Sequence, residues 1–477
     1  MPTLSPIIVW FRRDLRLADN PALREAVDRG APVVPVYIHA PEEEAPWSPG
    51  GASQWWLHHA LARLAESLEQ RGSRLIVRRG PSEKALLDLA RETGATAVCW
   101  NRLYDPGTLE RDKAVKLALR ASGIEAFSRN AALLFEPWTI QTGTGDPYKV
   151  FTPFWRRCLQ ETPPPHPIAK PHRVPAPAAW PESVPLGELG LLPAIKWDAG
   201  FCDAWTPGED GAHASLRRFA GEHAAAYGNT RNRPDLAGTS RLSPHLHFGE
   251  IGPRQVWHTV ARDGPLSEGV RTFLAEIGWR EFAHHLLFHY PRTTHEPLRP
   301  EFSAFPWRTA ERDLAAWQQG RTGYPIVDAG MRELWATGWM HNRVRMIVAS
   351  FLVKHLLLPW NDGAAWFWDT LVDADLAANT LGWQWSAGCG ADAAPYFRVF
   401  NPILQGAKFD PKGEYVRRWV PEIAALPGRH LFAPWEAPAG VLDEARVRLG
   451  TTYPHPLVEH PEGRARALAA FETIRKN

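Results

Sequence analysis

Short apolar runs alternate with longer amphipathic segments over the first part of the chain. The apolar runs are predicted strands and cover residues 7–11, 33–39, 74–77 and 97–100. The segments between them have helical spacing and cover 20–29, 53–71, 82–93 and 108–122. In the second of these helices, for example, Leu57, Leu61, Leu64 and Leu68 recur every three to four residues. Strands that alternate with helices of this length predict βαβ units and a parallel sheet.

Farther along the chain, strand-like alternation is scarce and helical spacing dominates. The predicted helices cover 212–227, 252–261, 267–289, 311–319, 329–337, 342–357, 364–372, 441–449 and 462–474. Nine prolines fall between residues 163 and 185, and proline neither continues a helix nor donates to a sheet. We therefore predict an α/β Rossmann-like parallel-sheet domain over 1–135, a Pro-rich connector over 136–211 and a larger all-α domain over 212–477.

Composition narrows the possible functions. The formal charge is +2, so the chain is neither a strongly basic coat for nucleic acid nor an acidic tail, although a local basic groove remains possible. The four cysteines are scattered without a C-x-x-C motif, which argues against a disulfide framework and a cysteine metal site. The 23 tryptophans outnumber the 4 methionines and suggest ring recognition.

Neither a targeting sequence nor a membrane segment is evident. The first apolar run is short and Arg12 and Arg13 follow it, whereas a signal peptide has its charge before a longer apolar stretch. We expect a cytoplasmic monomer. The first predicted strand is also not followed by G-x-G-x-x-G, so a dinucleotide site of that type is not expected there.

Four segments of the second domain combine chemically useful side chains. Residues 238–243 read GTSRLS, and their hydroxyls and backbone N–H groups could cradle a phosphate or simply cap a helix. Glu276, Trp279 and Arg280 share one helix face, as do Asn342, Arg345 and Met346. The string from Trp366 to Asp410 mixes carboxylates and amides with paired indoles. A metal site at His285 and His289 lacks a third ligand, so no metal is predicted.

Long strings in these segments resemble the DNA photolyase/cryptochrome family of flavoproteins. They include TGYPIVDAGMREL, TGWMHNRVRMIVASFLVKHLL, LAANTLGWQWSAG, DAAPYFRVFNP and QGAKFDPKGEYVRRWVPE, together with an N-terminal VWFRRDLRLADNPAL. The resemblance runs from residue 7 to about residue 475. It implies an N-terminal domain for an antenna chromophore and a helical domain that holds FAD in a folded conformation.

The resemblance also assigns roles to the residues that match the family's motifs. The implied FAD-binding residues are Tyr227, Thr239, Ser240, Arg241, Leu242, Ser243, Phe273, Arg345, Asp373, Asp375 and Asn379, the last of which would face flavin N5. The implied electron relay that reduces the flavin consists of Trp307, Trp360 and Trp383.

The implied lesion face favours repair of cyclobutane pyrimidine dimers. Asn342 and Met346 occupy positions where (6-4) photolyases have histidine, and Asn379 stands where plant cryptochromes usually have aspartate. With Asn379, the implied catalytic residues are Glu276, Asn342 and Met346. The implied contacts to UV-damaged DNA are Arg231, Glu276, Trp279, Arg280, Asn342, Arg343, Trp385 and Gln405. In this reaction, photoexcited reduced FAD passes one electron to a flipped-out dimer, which splits and returns the electron.

The sequence leaves more than one assignment open for the antenna chromophore and for the biological role. Tyr104-Asp105-Pro106 lacks the Asn-Glu pair that holds folate in some bacterial relatives, whereas residues 48–61 resemble plant cryptochromes and class III photolyases. We therefore predict 5,10-methenyltetrahydrofolate as the antenna, with 8-hydroxy-5-deazaflavin as the alternative. The predicted activity is that of a deoxyribodipyrimidine photo-lyase. A cryptochrome-type blue-light photoreceptor and a non-repair flavoprotein are the competing hypotheses.

Overall fold

A five-stranded parallel sheet forms the N-terminal part of the molecule. The computed structural model describes residues 4–161, 163–261, 265–396 and 398–475. The strands lie in the order β3-β2-β1-β4-β5, and every neighbouring pair is parallel. They are β1 (Ile7–Phe11), β2 (Val33–His39), β3 (Ile76–Arg79), β4 (Ala97–Asn101) and β5 (Glu125–Arg129). The predicted Rossmann-like sheet is confirmed.

Helices make up most of the remaining ordered structure. They are α1 (Pro21–Asp28), α2 (Gly51–Glu69), α3 (Ser82–Thr93), α4 (Pro106–Ala121), α5 (Phe151–Cys158), α6 (Phe201–Ala204), α7 (Glu209–Arg218), α8 (Tyr227–Thr230), α9 (Ser243–His247), α10 (Pro253–Ala261), α11 (Glu268–His289), α12 (Glu311–Gln318), α13 (Pro325–Thr337), α14 (Asn342–Ser350), α15 (Trp360–Thr370), α16 (Leu376–Ala387), α17 (Pro402–Phe409), α18 (Glu414–Trp419), α19 (Gly428–Leu431), α20 (Ala439–Glu444) and α21 (His460–Arg475). The prediction of a helix-rich second part is confirmed.

The central strands are buried on both faces, which explains their continuous apolar sequences. On one face of β1, Val9 and Phe11 belong to a core that includes α2. On the other face, Ile8 and Trp10 pack in a core with α3 and α4. The edge strand β5 was not predicted, because its sequence EAFSR carries charge at both ends and only Ala126 is fully buried.

Two predicted helices are interrupted in the structure. The segment 212–227 divides into α7, a π-helical turn over Phe219–His223 and a 3₁₀ turn, before α8 begins. The segment 342–357 is α-helical only as far as Ser350 and continues as a π-helical turn over Phe351–His355. Apolar periodicity does not distinguish these wider turns from an α-helix.

The proline-rich segment runs back along the sheet. Val33 donates its backbone N–H to the carbonyl of Pro175 at 2.7 Å, and Val184 donates to the carbonyl of Val77 at 3.0 Å. Residues 163–185 contain neither helix nor strand. The proline-rich stretch is therefore tied to the α/β part of the molecule rather than exposed as a free linker.

Close backbone contacts join the sheet part to the helical part. Gly51 at the start of α2 donates to Asp369 at 2.8 Å, and Arg16 donates to the carbonyl of Gly249 at 2.8 Å. Gly249 has φ of +64°, and a Cβ there would lie 2.2 Å from the carbonyl oxygen of Arg13. Over the described ranges, no helix is both long and apolar enough to cross a membrane.

Candidate active site

Helix α16 has one accessible face inside an otherwise buried region. Ala378 and Gly382 are exposed and Asn379 is half-buried, although Trp383 and Gln384 beside them are buried. A Cβ added to Gly382 would meet no atom within 4 Å. The side chain of Asn379 is oriented by a 3.0 Å hydrogen bond from its Nδ2 to the carbonyl of Ala364. This face of α16 is therefore accessible from outside the helix.

The N-terminal end of α16 carries two buried carboxylates with different partners. Asp373 forms a bidentate pair with Arg345, at 3.0 and 2.8 Å from Nη2. Asp375 caps α16 by accepting from the backbone of Ala378 at 2.8 Å, and its other oxygen faces His247 and His284. Burial raises the pKa of Asp375, but the two histidines hold it well below its usual range.

The segment GTSRLS forms a tight turn before α9. Gly238 fits because a Cβ would lie 2.7 Å from Thr230, and Arg241 has a left-handed backbone with φ of +53°. The guanidinium of Arg241 stacks 4.2 Å from the ring of Trp205 and 4.8 Å from that of Trp339. Its buried Nε has no hydrogen-bond partner among the described residues. The turn thus offers an unsatisfied cation beside three hydroxyl groups, those of Thr239, Ser240 and Ser243.

The other residues that were predicted to hold the cofactor lie in the surrounding core. Tyr227 and Phe273 pack edge to face at 5.4 Å, and both contact Phe219. Leu242 is 1% exposed and belongs to the same core. These three side chains are buried, whereas Thr239, Ser240 and Arg241 are half-buried and Ser243 is exposed.

These features fit the flavin dinucleotide that the resemblance implies. The unpartnered Arg241 Nε and the hydroxyls suit a pyrophosphate. The open face of α16 suits a flat ring system, with the amide of Asn379 beside it. Among the described residues, His, Cys, Asp and Glu nowhere form a group of three that could bind a metal.

Glu276 and its neighbours form a polar rim on α11 and α14. Arg231 binds Glu276 at 2.5 Å. Burial raises the pKa of Glu276 above its ordinary value, although Arg231 and Arg343 oppose that shift. Arg343 in turn donates to Asn232 at 2.8 Å. Residues 231 and 232 therefore bridge Glu276 on α11 to Arg343 on α14.

Two of the predicted DNA contacts, Trp279 and Arg280, already contact other groups of the protein. The indole of Trp279 stacks on Phe151 with ring centroids 3.9 Å apart and an interplanar angle of 10°. One of its faces is therefore covered, and only the other is available to a base. Arg280 donates to the carbonyl of Ala132 at 2.7 Å, so it is held toward the α/β part of the molecule.

Asn342 is exposed, and Arg345 and Met346 are half-buried on the same face of α14. A neighbouring surface groove of about 360 Å³ joins α14 to α17 and includes Arg343, Arg398, Gln405 and Lys408. Arg343 also lies 4.6 Å above the ring of Phe409. Trp385 is half-buried at the end of the open face of α16. The structure thus places Asn342, Met346, Trp385 and Gln405 at accessible positions.

The three predicted relay tryptophans differ in depth. Trp383 is 2% exposed and Trp360 is 3% exposed, whereas Trp307 is half-buried and contacts Phe305 at 4.4 Å. Trp383 fits flat against α15 because Gly363 leaves room for its ring. This ordering runs from the interior toward the surface.

Sequence reasoning missed several residues of this region. His247 and His284 come from α9 and α11 and meet only at Asp375, so their spacing along the chain carries no signal. Lys408 of the groove lies in the same motif as Gln405, and Arg398 lies in the motif that precedes it. Their positive charge near that motif was the one available signal.

Known proteins resemble this chain over nearly its whole length. Residues 7–177 match the DNA photolyase domain, and residues 273–473 match the FAD binding domain of DNA photolyase. The chain is 51% identical to a deoxyribodipyrimidine photo-lyase of Agrobacterium fabrum, over 99% of this chain and 98% of that protein. It is 44% identical to Cryptochrome-1 of Arabidopsis thaliana, over 98% of this chain and 70% of that protein.

A solved structure shares the whole fold. The crystal structure of a bacterial class III photolyase from Agrobacterium tumefaciens superposes with a TM-score of 0.96 at 50% identity, covering 100% of this chain and 99% of that chain. Identity of this size over the full length of both proteins is far above what a shared fold alone requires. The chain belongs to the DNA photolyase/cryptochrome family.

Proposed function

We propose that the chain is a deoxyribodipyrimidine photo-lyase, which uses FAD and blue light to split cyclobutane pyrimidine dimers in DNA. The observation that carries this proposal is the open face of α16 next to an accessible rim of Glu276, Asn342 and Met346. When bound, reduced FAD supplies an electron to the dimer under light and recovers it after the ring opens. The protein itself binds and orients the FAD and the lesion, and it shields them from solvent.

The rim residues would hold a flipped-out lesion. Glu276 and Asn342 present a carboxylate and an amide that can hydrogen-bond pyrimidine edges. The free face of Trp279, together with Trp385 and Met346, supplies apolar contact for the two bases. Arg231, Arg343 and Gln405 would contact the strand, and such phosphate contacts bind without reading sequence. Arg280 would act indirectly, because the carbonyl of Ala132 holds its guanidinium.

The proposed cofactor site includes the two carboxylates at the N-terminal end of α16, Asp373 and Asp375. Tyr227, Phe273 and Leu242 would form apolar walls, and Thr239, Ser240, Arg241 and Ser243 would bind the phosphates and the ribityl chain. Arg345 with Asp373 and the Asp375 cap would flank the ring and ribose, with Asn379 near N5. Trp383, Trp360 and Trp307 would carry electrons inward from the surface, since indoles are readily oxidised.

A cavity between the two parts of the molecule supports an antenna site. It has a volume of about 320 Å³ and is lined by Glu44, Trp47, Asp105, Arg292 and Trp368, among others. Trp47 and Trp368 pack edge to face at 5.4 Å. Indoles suit a pterin ring and Arg292 suits a glutamate carboxylate. We assign 5,10-methenyltetrahydrofolate to this cavity.

A second cavity would suit the alternative antenna, 8-hydroxy-5-deazaflavin. It has a volume of about 180 Å³ and lies at the carboxyl ends of β1 and β2, where Arg12, Arg13, Tyr37 and His39 line it. Parallel sheets commonly bind ligands at such a position. Extraction of the purified protein, followed by mass spectrometry, distinguishes the two chromophores. Arg292→Ala should release only the folate, because Arg292 lines the first cavity and not the second.

The overall organisation is proposed on the same basis. Residues 1–135 would hold the antenna, 136–211 would connect the domains and 212–477 would bind FAD and DNA. We propose that the protein acts as a cytoplasmic monomer. Light scattering with and without dimer-containing DNA tests the monomer, and cell fractionation tests the location.

The decisive experiment measures repair. Purified protein with reduced FAD is mixed with a thymine-dimer oligonucleotide and compared in blue light and in darkness. We expect light-dependent recovery of intact thymines, and we expect Glu276→Ala to weaken binding of that oligonucleotide by about tenfold, about 1.4 kcal/mol. Glu268→Ala, on the exposed first turn of the same helix, is the matched control and should bind normally.

The same experiment addresses the alternative function. The similarity to Cryptochrome-1 of Arabidopsis thaliana favours a blue-light photoreceptor as the second candidate. Bound FAD that is reduced by light, combined with no repair of the dimer, would contradict the photolyase proposal and favour that receptor. Loss of binding in both Glu276→Ala and Glu268→Ala would remove Glu276 from the lesion site.

A further inference from the structure

Two histidines and a carboxylate meet behind the open face of α16. His284 Nε2 lies 3.4 Å from Asp375 Oδ2, and His247 Nδ1 lies 3.6 Å from the same oxygen. His247 is 8% exposed, His284 is 5% exposed and Asp375 is 9% exposed. We call these three residues the Asp375 cluster. It joins α9, α11 and the N-terminus of α16, and each of these elements also carries residues of the proposed active site.

The ring nitrogens of the cluster are not satisfied by ordinary hydrogen bonds. His247 Nδ1 and both ring nitrogens of His284 are buried, and none of them has an aligned partner among the described residues. A buried polar group without a partner is costly. A proton on one of the two histidines offsets that cost, because the resulting imidazolium forms a buried ion pair with the Asp375 carboxylate.

The neighbouring carboxylate, Asp373, has a permanent cation as its partner, whereas Asp375, over the described residues, does not. Asp373 is neutralised by Arg345, a cation that stays charged at every working pH. Within the described part of the chain, the only ion-pair partners of Asp375 are the two histidines. Apart from the charge of Arg13, which pairs with Asp105, a protonated histidine is therefore the group that compensates its negative charge.

Other charged groups around the cluster are already engaged. Arg13 at the end of β1 faces Asp375 but pairs with Asp105 and also interacts with Glu44. Glu281 on α11 faces His284, and its carboxylate accepts from the backbone of Leu134 at 2.9 Å and of Phe135 at 3.1 Å. The ring of Tyr104 packs 6.5 Å from that of His284. The histidines thus remain the groups that can adjust their charge.

We propose that His247 and His284 share a proton that neutralises Asp375, so that a titratable histidine pair sets the charge beside the flavin. This inference rests on the proposed FAD site. A flavin gains negative charge when it is reduced near neutral pH, and an uncompensated carboxylate one helical turn from Asn379 would oppose that charge. The shared proton removes the opposition and favours the reduced cofactor.

The test is the midpoint potential of bound FAD, measured by spectroelectrochemistry without DNA. His284→Gln should lower the equilibrium constant for reduction by about tenfold, which is about 30 mV for a two-electron couple. His284→Gln combined with Asp375→Asn should restore the wild-type value, because the charge that needed compensation is gone. His289→Gln, on the same helix but with its ring against the carbonyl of Pro137 at 3.2 Å, is the matched control and should not shift the potential.

The pH dependence provides a second signature. The wild-type potential should fall more steeply with rising pH than that of the His247→Gln, His284→Gln double variant, because the cluster releases its proton. An equal loss in the Asp375→Asn background, or an unchanged potential in His284→Gln, would overturn the proposal.

Histidine-selective NMR keeps the inference testable if a variant does not fold. In the wild-type protein, the resonances assigned to His247 and His284 should together report one imidazolium proton between the two rings. Two neutral rings at pH 5 would refute the proposal. Protein that shows the expected potentials but repairs no dimer would remove the proposed function and leave this inference standing.

Discussion

At the residue scale, Glu333 on α13 is a buried carboxyl group with a perturbed pKa. It accepts from Tyr415 Oη at 2.7 Å and from the backbone of His341 at 3.4 Å. Burial raises its pKa to about 7, although these hydrogen bonds and the cations Arg241 and Arg345 oppose the shift. Folded protein therefore binds a proton at Glu333 that unfolded protein releases above about pH 4.5.

Glu333→Gln should remove a loss in the free energy of unfolding that wild-type protein shows only at higher pH. The native state loses stability at Glu333 as the pH rises from about 4.5 to about 7, by about 3 kcal/mol in total. The variant should therefore match wild type at pH 5 and unfold at higher denaturant concentration at pH 8. Denaturant unfolding at the two pH values measures this, and an equal difference at both would contradict the assignment.

The depth of Trp383 leads to a second residue-scale prediction. Trp383→Phe removes the innermost indole of the proposed relay, so light-driven reduction of bound FAD should slow by about tenfold or more. Repair by protein that was reduced chemically beforehand should be unchanged, because the relay is then not needed. Trp138→Phe, at a side chain that is 41% exposed, is the control, and equal slowing in both variants would exclude a specific relay.

At the element scale, α15 and α16 approach closely because of Gly363. A Cβ there would lie 2.0 Å from Cη2 of Trp383. The sequence predicted a helix in this region but not the packing, because helical spacing does not reveal which neighbour a glycine faces. The helix α16 itself was not predicted as a separate element, since its apolar residues are distributed around it rather than along one stripe.

Gly363→Ala should destabilise the protein although alanine favours helices. The added methyl must displace Trp383 or separate the two helices, which costs about 1–3 kcal/mol by overpacking and exceeds the gain of about 1 kcal/mol in helix propensity. Gly440→Ala on α20, where a Cβ meets nothing within 4 Å, should be neutral or stabilising. Thermal denaturation of the two variants compares them, and equal midpoints would refute the contact.

At the scale of the whole molecule, several histidines are buried in the neutral form. Burial lowers the pKa of His341 to about 3, of His355 to about 3 and of His285 to about 4. His355 contacts His460 at 2.9 Å, where α21 packs against the helical core. These imidazoles become charged on unfolding when the pH is below about 6.5.

Acid should therefore unfold the protein earlier than its carboxylates alone would. Each of these histidines removes about 2 kcal/mol of stability between about pH 6.5 and pH 5, because the unfolded chain takes up the proton. Glu333 changes stability in the opposite sense and offsets only part of this. Urea unfolding at pH 7 and pH 5 measures the difference, and His355→Gln should reduce it. A stability that is flat over this range would contradict the prediction.

The sequence by itself determined the architecture and the family. Apolar runs such as 7–11 must be buried on both faces and predict the parallel sheet, and uninterrupted motifs such as TGWMHNRVRM carry the resemblance. These features are local, so the order of residues along the chain is sufficient to detect them.

Only the tertiary structure decided which distant groups share an environment. His247, His284 and Asp375 meet from three helices, Phe151 covers one face of Trp279, and Ala132 holds Arg280. Such contacts depend on how helices pack rather than on local pattern, because the burial and charge of a side chain are set by neighbours far away in sequence. The chemistry of the candidate site is therefore a property of the folded molecule.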